Sequence, residues 1–151
     1  MRFYLKLSGI IWLISMVLNS TAIGQTTEKT EQSQEKKYNI ENCVTSFDIK
    51  KVDSTKVGWQ FWFVDKHFAD GFTLKMSKVQ AGSATHPPHV HQEDDIFYIV
   101  EGQAEFILGD EKRTAGPNTS FYCPSGVSHG IRNIGDGDLR YLVIKTYLDG
   151  E

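Results

Sequence analysis

Two short stretches of the chain hold four residues that together can grip one metal ion. The first is His89-Val90-His91, with Asp95 four residues beyond; the second runs Pro124-Ser125-Gly126-Val127-Ser128-His129. Three imidazoles and a carboxylate make the donor set of a mononuclear transition-metal site. Of the 5 histidines in the chain, four (His86, His89, His91 and His129) lie in these stretches or beside them, a clustering that random scatter rarely produces. Ligands gathered on one side of an ion leave positions open on the other, where a substrate oxygen can be polarised and its pKa lowered. Fe, Mn, Ni, Cu and Zn all suit an imidazole-rich site, so one divalent transition metal is expected without its identity. Glu93 and Asp94 are rival carboxylates, and Glu93 or Asp95 is a candidate acid/base for a proton on the substrate.

The elements that must position these groups read as short strands. His-x-His on a strand points both imidazoles to one face, because strand side chains alternate. Asp95 shares their parity, with Gln92-Glu93-Asp94 leaving room for a loop or bulge. His129 follows a tight Pro-Ser-Gly turn that can swing it in from another strand. Trp59 to Val64 is aromatic and strand-prone, and Phe72 to Val79 alternates apolar with polar residues, the mark of a half-buried strand. Ile96 to Val100 is an apolar run; Glu101-Gly102 turns it into Gln103 to Leu108, and Gly109-Asp110 turns the chain again, a hairpin signal. Ser120 to Cys123, Gly130 to Asn133 and Leu139 to Tyr147 fit further strands, and Gly116-Pro117-Asn118, Pro124-Ser125-Gly126 and Gly135-Asp136-Gly137 punctuate them. With no convincing long amphipathic helix after the first residues, the pattern predicts an all-β sandwich or barrel.

These two stretches resemble the signature motifs of the cupin superfamily. The first family motif runs from a Gly through His-x-His and a Glu to a second Gly; here Ser83 stands at the first Gly, His89, His91 and Gly102 match, and Asp95 stands where the family usually has Glu. The second runs from a Gly through Pro-x-Gly and a His to an Asn; here Asn118 stands at the Gly, and Pro124, Gly126, His129 and Asn133 match. The resemblance spans Phe72 to Tyr147 and is to small single-domain bacterial cupins, loosely grouped with quercetin-type dioxygenases. It implies a double-stranded β-helix, or jelly-roll barrel, with the metal inside the mouth. In that reading His89, His91, Asp95 and His129 hold the ion, while Gly102, Pro124 and Gly126 shape turns and Asn133 supports one. Asp is one methylene shorter than Glu, so direct ligation, ligation through water and an acid/base role for Asp95 all stay open. His86, Tyr98, Phe106 and Tyr122 are candidates to line a substrate pocket. The implied activity is a dioxygenase-type oxidoreductase acting on a small oxygenated molecule, with isomerisation or decarboxylation as further enzymatic readings. A non-catalytic barrel that holds a small carboxylate or sugar is the alternative to an enzyme.

The rest of the chain bounds this reading. Residues 1–24 carry Arg2 and Lys6, an apolar stretch from Leu7 to Leu18, and small residues ending at Gly24, the order of a signal peptide. An exported protein, periplasmic or extracellular, is expected, with an uncleaved N-terminal membrane anchor as the alternative; the apolar stretch is short of the ~20 residues of a comfortable span. Residues 25–40 are polar and read as a disordered spacer, leaving 41–151 as the cupin domain. The formal charge is −3, and losing Arg2 and Lys6 makes it more negative, so nucleic acid is not an expected partner. Cys43 and Cys123 could pair after export, closing a loop worth about 4 kcal/mol in the chain-entropy view, or stay as separate thiols. The aromatic strand Trp59 to Val64 is a candidate contact in a homodimer, with burial in its own core as the alternative.

Overall fold

The computed structural model describes residues 38–147; the leader and nearly all of the polar spacer lie outside them. A one-turn helix, α1 (Ile40–Cys43), is capped by Asn39, whose side chain accepts from Asn42 N at 3.0 Å while Asn42 Oδ1 accepts from Asn39 N at 2.9 Å. The described residues from Thr45 onward form one compact unit. They run through a 3₁₀ turn, Ile49–Lys51, and then β1 (Asp53–Thr55), β2 (Gly58–Val64), β3 (Phe72–Val79), β4 (Asp95–Glu101), β5 (Ala104–Leu108), β6 (Glu111–Ala115), β7 (Ser120–Cys123), β8 (His129–Asn133) and β9 (Leu139–Thr146). One sheet has the order β1-β2-β3-β9-β4-β7 and the other β6-β5-β8. Neighbours that are distant in sequence, such as β3 with β9, give the jelly-roll path expected from the motifs. No helix of the described residues is long and apolar enough to cross a membrane.

Antiparallel register stacks the inward residues of the large sheet into rows. One row reads Thr73, Lys145, Asp95, Cys123; the next reads Trp62, Lys75, Val143, Phe97, Phe121; a third reads Gln60, Ser77, Tyr141, Ile99. The core lies where apolar rows of the two sheets meet: Ile99, Ala104, Cys123 and Leu139 are each 0% exposed. Phe106 and Phe121 pack with tilted rings, centroids 4.6 Å apart. Fully burying an aliphatic side chain contributes about 1.5–3 kcal/mol, so this end of the sandwich holds the sheets together.

Along β3 the alternation is the reverse of the usual half-buried strand. Thr73 and Ser77 are buried at 2% and 4% exposure, while Phe72 is exposed. The polar parity faces in because this part of the interior is a cavity rather than a packed core. The apolar parity covers the outer face of the sheet, with Ile96, Tyr98, Val100, Tyr122 and Ile144 exposed beside it.

The hairpin expected across Glu101-Gly102 does not form. β4 pairs with β7 and β9, and β5 pairs with β6 and β8, so the turn carries the chain from one sheet to the other. Gly102 allows that crossing: its φ is +92°, and a Cβ there would meet Asp138 O at 2.6 Å. The hairpin through Gly109-Asp110 does form, joining β5 and β6. β6 and β1 escaped the sequence reading because both are polar and exposed along their length. Asn118, which replaces the motif glycine, sits at φ +63°, a left-handed conformation that Asn tolerates better than most residues. Asn133 is fully buried and braces the following turn: Nδ2 donates to Val79 O at 2.9 Å and Gly137 O at 2.8 Å, and Oδ1 accepts from Gly135 N at 2.9 Å. Phe61 of the aromatic strand is covered by its own chain, with Phe47 and Phe63 at ring centroid distances of 5.3 Å and 5.0 Å.

Cys43 is an exposed free thiol and Cys123 a buried free thiol. Burial first, and then the Asp95 charge, push the Cys123 thiol up to about 12. In the native protein a maleimide is expected to label Cys43 alone, with Cys123 reacting only after denaturation; two unreactive cysteines that appear on reduction would show a disulfide instead. Gly102→Ala is expected to cost about 1–3 kcal/mol through strain and overlap, read as a lowered denaturation midpoint with unchanged slope.

Candidate metal centre

His86, His89 and His91 lie on the connection between β3 and β4, a segment without a strand partner along most of its length. It is held in place by backbone contacts with the second motif. His89 N donates to His129 O at 3.1 Å, and His129 N donates back to His89 O at 3.0 Å. Gly126 N donates to His91 O at 2.8 Å. Pro88 packs on Gly130, where an added Cβ would approach it to 3.3 Å. Asp95 opens β4 between Lys145 and Cys123, so the large sheet supplies the carboxylate, the small sheet supplies His129, and the connection supplies the other two imidazoles.

The three histidines present one nitrogen each, all within 4.8 Å of one another. Asp95 stands against two of them, its Oδ2 3.2 Å from His91 Nε2 and 3.6 Å from His129 Nε2. His129 is fully buried, and its Nδ1 meets the backbone carbonyl of Val127 at 2.9 Å. A carbonyl only accepts, so Nδ1 carries the proton and Nε2 presents a lone pair to the centre. That Nε2 has no hydrogen-bond partner, nor do the buried His89 Nδ1 and Asp95 Oδ1. Leaving such atoms unpaired costs about 1–3 kcal/mol each, and one cation shared by the three histidines would relieve that cost at their nitrogens. The donor set therefore fits a divalent transition metal held by His89, His91 and His129, with Asp95 beside them.

The surroundings favour the neutral form of His89. Burial, followed by the neighbouring His86, His129 and His91, lowers the His89 pKa against the opposing pull of Asp95, favouring the neutral imidazole that a metal requires. Glu93 Oε2 lies 3.1 Å from His91 Nδ1, an ion-pair distance without hydrogen-bond alignment, and 3.3 Å from Lys145 Nζ. Desolvation raises the Glu93 pKa, but hydrogen bonding from its backbone, Lys145 and His91 together leave it lowered.

Comparison with known proteins places the surrounding domain in a family. Residues 75–145 match the cupin domain family. These residues are a cupin domain. Over 76 residues the chain is 33% identical to dimethylsulfoniopropionate lyase DddQ of Ruegeria pomeroyi, covering 44% of this chain and 38% of that protein. Over 54 residues it is 33% identical to the uncharacterized protein SCO3923 of Streptomyces coelicolor, covering 36% of this chain and 50% of that protein. The chain thus spans half or less of these relatives. Among solved structures, the polyketide cyclase RemF from Streptomyces resistomycificus superposes with a TM-score of 0.58 at 23% identity, covering 68% of this chain and 79% of that one. KdgF from Halomonas sp. superposes with a TM-score of 0.59 at 22% identity, covering 68% and 94%. At these identities the structural matches speak for the fold alone.

The cupin's candidate centre opens on a cavity of about 230 Å³. His86, His89, His91 and Asp95 line it, and the His86 ring stands edge-on to His89 with centroids 4.3 Å apart. The other candidates for substrate contact lie elsewhere. Tyr98 and Tyr122 are 39% and 55% exposed on the outer face, because strand alternation sets them opposite to Asp95, Phe97 and Cys123. Phe106 is 5% exposed within the hydrophobic core. Glu93 does not line the cavity either; its carboxylate lies between His91 and Lys145. Asp94 is structural, accepting from Ser125 N at 2.8 Å. Sequence reading missed Lys75, Lys145, Trp62 and Tyr141, which all line the cavity. The signal was available in β3, whose polar parity (Thr73, Lys75, Ser77) reads equally well as a wet interior.

The depressed His89 pKa has a defined consequence for metal-free protein. The unfolded chain takes up this proton before the folded one does, so the contribution is present above the ordinary histidine value and is lost as pH falls through the lower folded value. The denaturation midpoint of metal-free protein is expected to fall on acidification below about pH 6.5, and His89→Gln to flatten that slope; an unchanged slope in the variant would remove His89 as its source.

Proposed function

We propose that this cupin is an exported mononuclear metalloenzyme that acts on a small oxygenated organic molecule by lyase- or isomerase-type chemistry. One observation carries the proposal: three clustered histidines, with buried nitrogens that lack a hydrogen-bond partner, stand beside a cavity that two of them and Asp95 line. A purely structural site would surround its ion with protein, whereas these donors face space that a substrate can fill. A divalent ion, when bound, polarises a coordinated oxygen and acidifies the neighbouring C–H or O–H group. Asp95, 5% exposed with one oxygen free of hydrogen bonds, is the group of this chain placed to take that proton. Tyr141, 3% exposed on the cavity wall, has its phenol pKa raised by burial, so it stays protonated and can donate a hydrogen bond. Phe97, Val143 and Ile131 exclude water from the same space.

The similarity to a protein named a lyase supports elimination over oxygen insertion. The dioxygenase reading rests on the loose resemblance to quercetin-type dioxygenases and on the donor set, which serves redox and redox-neutral chemistry equally. Export rests on the N-terminal leader pattern. The test is a screen of metal-loaded protein with oxo-acids, sugars, polyphenols and diketones, following product formation and oxygen uptake in parallel. Product without oxygen uptake, reduced at least ~100-fold in Asp95→Asn through loss of a general base, is expected. Oxygen uptake matching product would establish the dioxygenase reading. Compounds that raise the melting temperature and are never consumed would make the protein a binding barrel.

A further inference from the structure

Lys75 is set into the cavity wall with little to neutralise it. It stands on the inward parity of β3 between Thr73 and Ser77. Its Nζ donates to Gln60 Oε1 at 3.3 Å and lies 5.0 Å from the centroid of the Trp62 ring. Among the described residues it makes no ion pair, whereas the cavity's second ammonium, Lys145, is engaged by Glu93 at 3.3 Å. Desolvation is the leading influence on Lys75 and lowers its pKa, opposed by Asp95. Burying an ammonium in this way is unfavourable unless an anion joins it.

The same wall is rich in hydroxyl groups. Thr73, Ser77, Thr85 and Tyr141 all line the cavity with Lys75. The metal-type donors lie on the other side: β9 separates β3, which carries Lys75, from β4, which carries Asp95. Two strand spacings place those backbones about 10 Å apart. The cavity, about 230 Å³, lies below the ~300 Å³ at which pockets begin to hold drug-sized ligands. With a divalent ion in place, the carboxylates of Glu93 and Asp95 could not neutralise that ion and two ammonium groups together. The chamber would then attract an anion strongly.

We infer that Lys75 anchors a carboxylate of the substrate, with the surrounding hydroxyls, so that the substrate is a short-chain organic acid whose other oxygenated end reaches the metal ligands. This rests on the metalloenzyme reading for the reacting end only; the anion subsite is built from β2, β3 and β9. The apolar wall of Val143, Phe97 and Ile131 suits the carbon chain between the two ends, and the 5.0 Å approach of Lys75 to Trp62 gives tryptophan fluorescence as a reporter.

The experiment measures binding of succinate and its uncharged diamide, succinamide, to the full chain in metal-loaded and metal-free form, by calorimetry and by tryptophan fluorescence. Wild-type protein is expected to prefer succinate at least tenfold. Lys75→Gln is expected to weaken succinate at least tenfold while leaving succinamide unchanged, and Lys75→Arg to restore most of the preference. Equal affinity for the two compounds, undiminished succinate binding in Lys75→Gln, or no succinate binding in either form would overturn the subsite. Metal content measured on the same samples separates the two ideas. A chain that takes up no metal but shows the Lys75-dependent preference loses the metalloenzyme reading and keeps the anion site. A chain that loads metal but lacks the preference does the reverse.

Discussion

The two-way backbone bridge between His89 and His129 is the contact on which the rest of the site depends. It joins the connection between β3 and β4 to the edge of the small sheet, with bonds of 3.1 Å and 3.0 Å. Without it, His86, His89 and His91 would hang on a segment of more than a dozen residues between β3 and β4, free to sample many arrangements at about 1–2 kcal/mol of conformational entropy per residue. With it, two imidazoles are brought to a third that is already fixed, since His129 belongs to β8 and bonds through Nδ1 to its own turn at 2.9 Å. The Gly126–His91 bond and the contact of Pro88 with Gly130 extend the same seam. Histidines from far apart in the chain meet because backbone hydrogen bonds bring them together, and donors preset in this way lose little entropy when they take up an ion.

The second constraint is the division of the interior. One end of the sandwich is packed by Ile99, Ala104, Leu139, Phe106 and Phe121 and supplies the stability. The other end is left as a cavity whose wall changes character from strand to strand: hydroxyls and an ammonium on β3, aliphatic and aromatic groups on β9 and β4, imidazoles beyond. That arrangement costs stability, because polar rows replace apolar ones and several buried atoms stay unpaired. The closed end offsets it. Function and stability therefore occupy opposite ends of the same strands, joined by rows of side chains that the register holds in line.

Much of this was legible in the sequence. Strand positions followed from alternation and from Gly/Pro punctuation, and β3 and β7 have the bounds expected of them. The donor residues could be named from their types and spacing, since imidazoles so grouped have few other uses. What escaped has physical causes. Polar edge strands such as β6 carry no apolar period to read. A glycine turn shows that the chain reverses without showing whether it returns to the same sheet, so Gly102 was read as a hairpin and is a crossing. Aromatic type alone did not tell Tyr98 and Tyr122, on the outer face, from Phe106, in the core, or any of them from cavity residues; the parity relative to Asp95 did. Lys75 was invisible because a lysine on a strand normally marks the wet side, and here the wet side is inside.

The most direct measurement of the central claim is the metal content of the protein, purified gently without chelators or a polyhistidine tag, beside that of a His91→Ala variant shown to be folded. About one transition-metal ion per chain is expected in the wild type, with most of it lost in the variant. A wild-type protein that holds no transition metal even after reconstitution, or a variant that keeps its full complement, would contradict the proposed centre.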